Sequence, residues 1–491
     1  MSVRVRFAPS PTGYLHIGGL RTALYNYLFA KKNNGTFILR VEDTDKTRFV
    51  EGAIENLIDS LKWAGVDYDE GPGKDGGFGP YIQSERLDLY NQYSKKLIEN
   101  GNAYYAFDTP EEIEQARQIQ QDQKADFKYN RNQMRNQITL GDEETNRLLE
   151  SGASFVIRLK VPENKLVKFK DIIRGEVIVN SNEVDDQVLL KSDGYPTYHL
   201  ANVVDDYLMQ ISHVIRGEEW LPSTPKHVLL YEAFGWNAPT FAHLPLLLNK
   251  DKSKLSKRQG SVAVEDFRDK GYLRDALVNF VALLGWNPTA DREIFSMYEL
   301  IENFHLEKVN KAGAVFDTQK LDWMNQQYLK NLPNETLATL LANDLKKNGN
   351  IHFPISYLEK VVNLFKERVT FISEIFLNAP YMFDSPKEFE FEYFKKHWKE
   401  NTKPLIEQLV KKLEGIEDFS HTYLHDKINE FNEEHSIKLK EIIHPIRLMI
   451  TGKSSGAGMF ETMEALGKDE CIKRMNYFLN EKVKEYENIN S

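Results

Sequence analysis

The segment Arg6-Phe-Ala-Pro9-Ser10-Pro11-Thr12-Gly13-Tyr14-Leu15-His16-Ile17-Gly18-Gly19 does most to limit what this chain can fold into. Val3 to Phe7 alternates like a buried strand. Two prolines and Gly13 then break the run and force a loop. Directly after Gly19, residues Leu20, Leu24, Tyr27 and Leu28 recur at helical spacing. A histidine and two glycines therefore stand where a strand hands over to a helix. Glycine lets a ligand come close to the backbone, and a helix start offers positive potential and N–H groups to phosphate. By itself the stretch also reads as an ordinary strand–loop–helix turn with a surface histidine.

The following residues repeat the pattern. Thr36 to Val41 alternates as a second strand and ends at Glu42-Asp43-Thr44-Asp45. Val50 to Ala64 carries Ile54, Leu57, Ile58 and Leu61 at helical spacing. Strand, helix, strand, helix in short succession implies a parallel sheet with right-handed crossovers. Ligands bind such sheets at the carboxyl ends of the strands, so His16 and Glu42 are expected on one edge. Far downstream, Asn249-Lys-Asp-Lys-Ser-Lys254-Leu255-Ser256-Lys257-Arg258-Gln-Gly260-Ser is basic and rich in small residues. Taken singly it is a solvated loop.

Taken together, His16-Ile-Gly-Gly and Lys254-Leu-Ser-Lys-Arg258 match the two signatures of class I aminoacyl-tRNA synthetases, with Leu255 in place of the more familiar methionine. Ala8-Pro-Ser-Pro-Thr-Gly13, Arg40-Val-Glu42-Asp-Thr-Asp45, Gln83-Ser-Glu-Arg86 and Lys191-Ser-Asp-Gly-Tyr-Pro-Thr-Tyr198-His-Leu-Ala-Asn202-Val-Val-Asp-Asp206 narrow the match. With them the chain resembles the bacterial-type glutamyl-tRNA synthetases. The resemblance runs nearly end to end and is densest up to about Trp323. Glutaminyl and archaeal-eukaryotic glutamyl enzymes usually have another loop before the histidine and an Asp-Asp-Thr run on the second strand. This chain departs from them at both places.

The resemblance implies a Rossmann-type α/β catalytic domain with an α+β insertion, followed by an all-helical anticodon-binding region. The expected boundaries are 1–107 and 186–243 for the two catalytic halves and 108–185 for an insertion that packs on the tRNA acceptor end. A stem-contact domain at 244–324 carries the lysine loop, and helical domains follow at 325–380 and 381–491. It also implies roles. His16, Gly18, Gly19, Lys254, Leu255, Ser256, Lys257 and Arg258 would bind ATP, with His16, Lys254 and Lys257 catalytic. Arg6, Ser10, Glu42, Tyr198, Asn202 and Arg216 would hold glutamate, the arginines in fork geometry on its side-chain carboxylate. Arg368 stands where the family often has an arginine that reads the last anticodon base; it also reads as one of many helix-surface arginines. The expected partners are tRNA(Glu), L-glutamate and ATP with Mg²⁺, and the family default is a monomer. Neither step of aminoacyl-tRNA formation needs a covalent protein nucleophile, so catalysis would rest on positioning and on stabilising charge at phosphate.

Composition sets limits. With 491 residues the chain suffices for three or four domains, and 41% hydrophobic and 28% charged residues are globular values. No apolar run approaches the ~18–20 residues of a membrane span. Met1-Ser-Val-Arg leads straight into the first strand, so a cytoplasmic protein without a leader is expected. Some members of the resembled family hold zinc through cysteines in the insertion; the single cysteine, Cys471, lies elsewhere, and no structural zinc is expected. The net charge of −10 requires any RNA contact to come from local basic patches; Lys395-Lys396, Lys399, Lys403 and Lys411-Lys412 could supply phosphate contacts, and several of them also read as a solvated helix face. Thr451-Gly-Lys-Ser454 imitates the end of a P-loop. Arg447 occupies the position where that motif needs its first glycine, so the run reads as a helix–helix loop. The competing functions are a glutaminyl-tRNA synthetase, a non-discriminating enzyme that also charges tRNA(Gln) with glutamate, and an inactive tRNA-binding module. The last would be expected to lose His16 or the lysines.

Overall fold

The computed structural model describes residues 2–255, 262–289, 291–347, 349 and 352–490. It divides into two compact units, Met1–Lys270 with Arg274–Thr318, and Gly271–Leu273 with Gln319–Ser491.

The first unit is α/β. Strand β1 (Arg4–Phe7), helix α1 (Ile17–Lys32) and strand β2 (Thr36–Leu39) form the opening crossover, and β1 pairs in parallel with β2, Arg6 opposite Ile38. All four residues of β1 are buried although two are arginines. Parallel strands are covered on both faces, so these arginines must be satisfied inside. Arg4 is, through two bonds to Glu70 at 2.7 and 2.9 Å. Helices α2 (Ala53–Trp63) and α3 (Leu87–Glu99) follow. Next come β3 (Ala103–Ala106), α4 (Pro110–Asp122) with a Thr109–Glu112 capping box, and α5 (Gln137–Glu150). Strands β4 (Val156–Leu159), β5 (Leu166–Asp171), β6 (Gly175–Asn180) and β7 (Val188–Leu190) precede α6 (Tyr198–Leu208), β8 (His213–Gly217), α7 (Thr224–Phe234) and β9 (Thr240–Leu244).

Strand β8 lies beside β1, since Ser212 N donates to Arg4 O at 2.9 Å, and it pairs in parallel with β9, Arg216 opposite His243. Strand β9 joins β5 at Asp171 opposite Phe241, and β5 and β6 form an antiparallel hairpin. Helices α6 and α7 bury Leu200, Val203, Val204, Leu229 and Leu230 in the same core, each contributing about 1.5–3 kcal/mol.

Three features lie outside the sequence reading. Strand β9 sits between β5 and β8 in the sheet order β6-β5-β9-β8. Thr-Phe-Ala-His-Leu is five residues long and buried at four of them, so it shows no alternation. Within 108–185, β4 pairs with β3 and β7 rather than with the β5–β6 hairpin. The stretch 262–323 contains helices α8 (Val264–Lys270), α9 (Arg274–Ala282) and α10 (Met297–Asn303), but also a short parallel pairing of β10 (Leu247–Leu248) with β11 (Ala314–Val315).

The second unit is helical, from Thr318–Asn331 to Val483–Asn490. Among the described residues, its buried apolar side chains include two clusters. One runs from Leu329 to Met382 and takes in Ala457 and Ala465; the other runs from Phe389 to Tyr486. The helix Leu439–Thr451 ends at Gly452, whose φ of 72° is a left-handed cap. The Thr451-Gly-Lys-Ser run thus follows a helix, as expected, and no strand feeds it. Among the described residues, no helix is long and apolar enough to cross a membrane.

Candidate active site

A cavity of about 920 Å³ opens in the first unit at the carboxyl ends of β1, β2 and β8. On one side His16 is the N-cap of α1: its Nδ1 accepts from Gly19 N at 3.1 Å. In a neutral ring that bond assigns the proton to Nε2. A Cβ on Gly18 would lie 2.9 Å from His16 Cε1, so the glycine is what lets the ring fold back over the helix start. The first turn of α1 carries no acidic residue, which leaves its positive end uncancelled.

The two distant signatures meet here. Ile17 N donates to Val262 O at 2.9 Å, Val264 N to Leu15 O at 2.8 Å, and His16 bridges Ala263. Leu255 N donates to Leu247 O at 2.9 Å. Both flanks of the lysine loop are therefore tied to the walls of the cavity, and Lys254 and Leu255 line it. Ser256, Lys257 and Arg258 lie outside the described residues.

Behind the cavity is a buried cluster of charge. Arg6 forks onto Asp206 at 3.0 and 3.3 Å, and Arg40 donates to Asp206 at 2.7 Å and to Glu42 at 3.0 Å. Arg86 donates to Asp205 at 2.7 Å, joined there by Gln83 and Tyr90, each at 2.8 Å. With its amide oxygen turned to the arginines, Asn202 accepts from Arg6 at 3.1 Å and Arg40 at 3.3 Å. Three guanidiniums thus face three carboxylates. Burial pushes Asp206 up, but Arg6 and Arg40 outweigh it and hold the carboxyl below its ordinary range. Burial wins at Glu42, which is raised despite Arg40 and Arg6.

Arg216, on β8, has a different setting. It is 4% exposed, yet among the described residues no carboxylate lies within ion-pair distance of it. Its Nε donates to His243 Nε2 at 3.0 Å, Nη1 to Tyr198 Oη at 2.9 Å, and Nη2 to Thr224 Oγ1 at 3.0 Å and Trp220 O at 3.4 Å; His227 Nδ1 lies 3.3 Å from Nη1. His227 Nε2 faces His199 Nδ1 at 3.1 Å. These imidazoles are kept neutral: burial, with Arg216 nearby, lowers His227 well below the ordinary value, and burial and Lys226 push His199 down to about 3. Tyr198, at the start of α6, packs on Trp220 with ring centres 4.2 Å apart.

The cavity lining brings together every residue from Pro9 to Gly19, with Arg6, Glu42, Tyr198, Asn202, Arg216, Lys254 and Leu255. Arg368 belongs to the second unit, where its Nη1 donates to Gly456 O at 2.9 Å. Sequence reasoning assigned no role to Arg40, Asp205 or Asp206, although all three stand inside the quoted motifs; a charged residue in a buried strand or helix was the available signal. Lys191 also lines the cavity, and Trp220 walls it. Asp171, His227 and His243 stood outside every motif.

The sequence matches two family descriptions: tRNA synthetases class I (E and Q), catalytic domain, over residues 2–323, and an anticodon binding domain over residues 335–479. The chain belongs to the class I tRNA synthetases of the E and Q group. It is similar to the glutamate–tRNA ligase of Chloroherpeton thalassium, 51% identical over 96% of this chain and 97% of that protein. The glutamate–tRNA ligase of Clostridioides difficile is 48% identical over 98% and 99%. A crystal structure of a glutamate tRNA ligase from Elizabethkingia meningosepticum, in complex with its amino acid, matches with a TM-score of 0.93 and 43% identity over 98% of this chain and 100% of that one.

Proposed function

We propose that this chain is an ATP-dependent glutamate–tRNA ligase. It activates L-glutamate with ATP to glutamyl-adenylate and pyrophosphate, then transfers glutamate to the 3′-terminal adenosine of tRNA(Glu). The observation that carries the choice of amino acid is the buried Arg216, which among the described residues has no carboxylate partner, in a cavity whose other wall is the start of α1. A buried guanidinium without an anion is costly, and a ligand carboxylate relieves that cost through charge-assisted bonds. An amide does so less well.

In this reading Arg216 and Tyr198 read the side-chain carboxylate, Arg6 and Asn202 complete the pocket, and Glu42 with Ser10 receives the α-ammonium group. His16 donates from Nε2 to the ATP phosphates, and Gly18 and Gly19 admit the adenosine. Lys254 and Lys257, with Ser256 and Arg258, stabilise charge on the departing pyrophosphate. Mg²⁺ accompanies ATP. Residues 108–185 are assigned to the acceptor end, 244–324 to the stem, and the helical portions 325–380 and 381–491 to the anticodon, with Arg368 as a base contact. The protein acts as a cytoplasmic monomer without structural zinc.

The test is aminoacylation of purified tRNA(Glu) and tRNA(Gln) with each amino acid. Glutamate on tRNA(Glu) is the expected product. Glutamine transfer at a comparable rate would overturn the assignment, and glutamate on both tRNAs would make the enzyme non-discriminating.

A further inference from the structure

Arg216 is held by a chain of partners that runs away from the cavity. His243 lies opposite it on β9, and behind His243 stands Asp171, at the end of β5. Neither lines the cavity. Asp171 Oδ2 is 2.6 Å from His243 Nδ1, and His243 Nε2 accepts from Arg216 Nε at 3.0 Å. The His243 and Asp171 side chains are fully buried.

We propose that Asp171 and His243 are positioning residues that set amino acid specificity by fixing the imidazole tautomer that orients Arg216. The proposal rests on the reading of Arg216 as the carboxylate reader.

The hydrogen-bond inventory makes the argument. Arg216 Nε–H can only donate, so the nitrogen facing it must carry a lone pair. A histidine with its proton on Nε2, or with two protons, would set a donor against a donor and turn the fork away. The proton must therefore stay on Nδ1, which requires an acceptor there. Asp171 is that acceptor, and its orientation is fixed by the backbone. Oδ1 takes N–H bonds from Ile173 at 2.9 Å and Arg174 at 2.8 Å, while His243 N donates to Oδ2 at 3.1 Å. Burial and the charge of Arg216 work against a second proton on His243, offsetting the pull of Asp171. Thr224 Oγ1 holds Nη2 of the same guanidinium.

An asparagine at 171 is nearly isosteric but changes the logic. Its oxygen would stay with the two backbone N–H groups of Ile173 and Arg174. Its NH₂ would then face Nδ1, move the imidazole proton to Nε2, and oppose Arg216. A serine-protease aspartate acts on its histidine in the same way, and asparagine there leaves the geometry intact with the wrong tautomer. His243→Gln and His243→Asn separate the two halves of the relay. The glutamine amide reaches about as far as Nε2 and restores an acceptor for Arg216. The asparagine amide reaches only to Nδ1.

The experiment charges tRNA(Glu) with wild type, Asp171→Asn, His243→Gln, His243→Asn and Arg216→Gln, reading KM for glutamate and for ATP separately. Loss of one charge-assisted contact predicts a rise in glutamate KM of about tenfold or more in Asp171→Asn and His243→Asn, with ATP KM within about twofold of wild type. His243→Gln is expected to stay within about threefold for both substrates. Glutamate KM unchanged in Asp171→Asn and His243→Asn, or the two KM values rising together in all three relay variants, would overturn the proposal. If Asp171→Asn fails to fold, the contrast between His243→Gln and His243→Asn decides alone. Arg216→Gln separates the two levels. An unchanged glutamate KM there removes the reading of Arg216 itself, while a raised KM there beside normal relay variants removes only the relay.

Discussion

Arg6 and Arg216 reach the same cavity from strands β1 and β8, and their surroundings are opposite in kind. Arg6 belongs to a cluster in which Arg6, Arg40 and Arg86 meet Glu42, Asp205 and Asp206, so its charge is cancelled within the protein. Arg216 is as deeply buried, but among the described residues it is met by imidazole, hydroxyl and carbonyl groups only. A cancelled cluster builds the wall of a pocket. An uncancelled cation builds a demand for an anion. The two arginines were paired in the sequence reading on the glutamate carboxylate; the structure ties Arg6 to Asp206 and, among the described residues, gives Arg216 no carboxylate.

The comparison predicts unlike consequences for stability. Asp206→Ala leaves Arg6 and Arg40 facing each other without their shared carboxylate. Breaking a buried pair by removing one partner costs about 3–5 kcal/mol, so a large fall in the urea midpoint is expected. A change under 1 kcal/mol would dissolve the distinction between wall and reader.

The two regions also differ in pH window. Unfolded histidine titrates near 6.5. His199, at about 3, and His227 and His243, both lowered chiefly by burial, take up protons only below that. As pH falls through about 6.5 the unfolded chain binds more protons than the folded one, so the neutral histidines around Arg216 make stability decline from there downward. Asp206 acts later. Its folded value is depressed, so its contribution is complete above the ordinary aspartate range and is lost only as pH falls through the folded value. Glu42, raised by burial, works in the opposite sense. Urea midpoints measured between pH 7.5 and 3 should show a decline that begins near neutrality and steepens below about 4. A midpoint flat down to pH 5 would contradict neutral burial of the histidines.

The smallest effect is expected for Arg216→Gln. It removes a buried charge that has no partner carboxylate among the described residues, and relief of desolvation offsets the lost hydrogen bonds to within about 1 kcal/mol. A loss comparable to Asp206→Ala in the same denaturation series would make Arg216 a structural residue.

Much of this site was legible before folding. Prolines, Gly13 and a helical period after Gly19 placed His16 at a helix start, and the ring caps that helix. The β1–α1–β2 crossover followed from period alone. What was not legible depends on partners far apart in the chain. Arg6 and Asp206 are 200 positions apart, and nothing local distinguishes a buried strand arginine from one facing solvent. The tie between Arg216 and His243 is one of register across two parallel strands, and β9 itself has no alternation because it is buried at four of five positions. The resemblance implied a helical second unit and singled out Arg368; there Arg368 meets a backbone carbonyl of its own unit.

The most direct test of the account is discrimination between glutamate and glutamine by Arg216→Gln. The two amino acids are nearly isosteric, so the wild-type preference must come from charge and donor–acceptor matching. Two mismatched buried contacts, at about 2 kcal/mol each within the usual range of about 1–3, give a preference of the order of 10³. Measured with tRNA(Glu), Arg216→Gln is predicted to lose most of its kcat/KM for glutamate and to narrow the gap to glutamine by at least about tenfold. Glutamate kinetics and a preference equal to wild type in that variant would contradict the account and leave Arg6, already paired with Asp206, as the remaining arginine on the carboxylate.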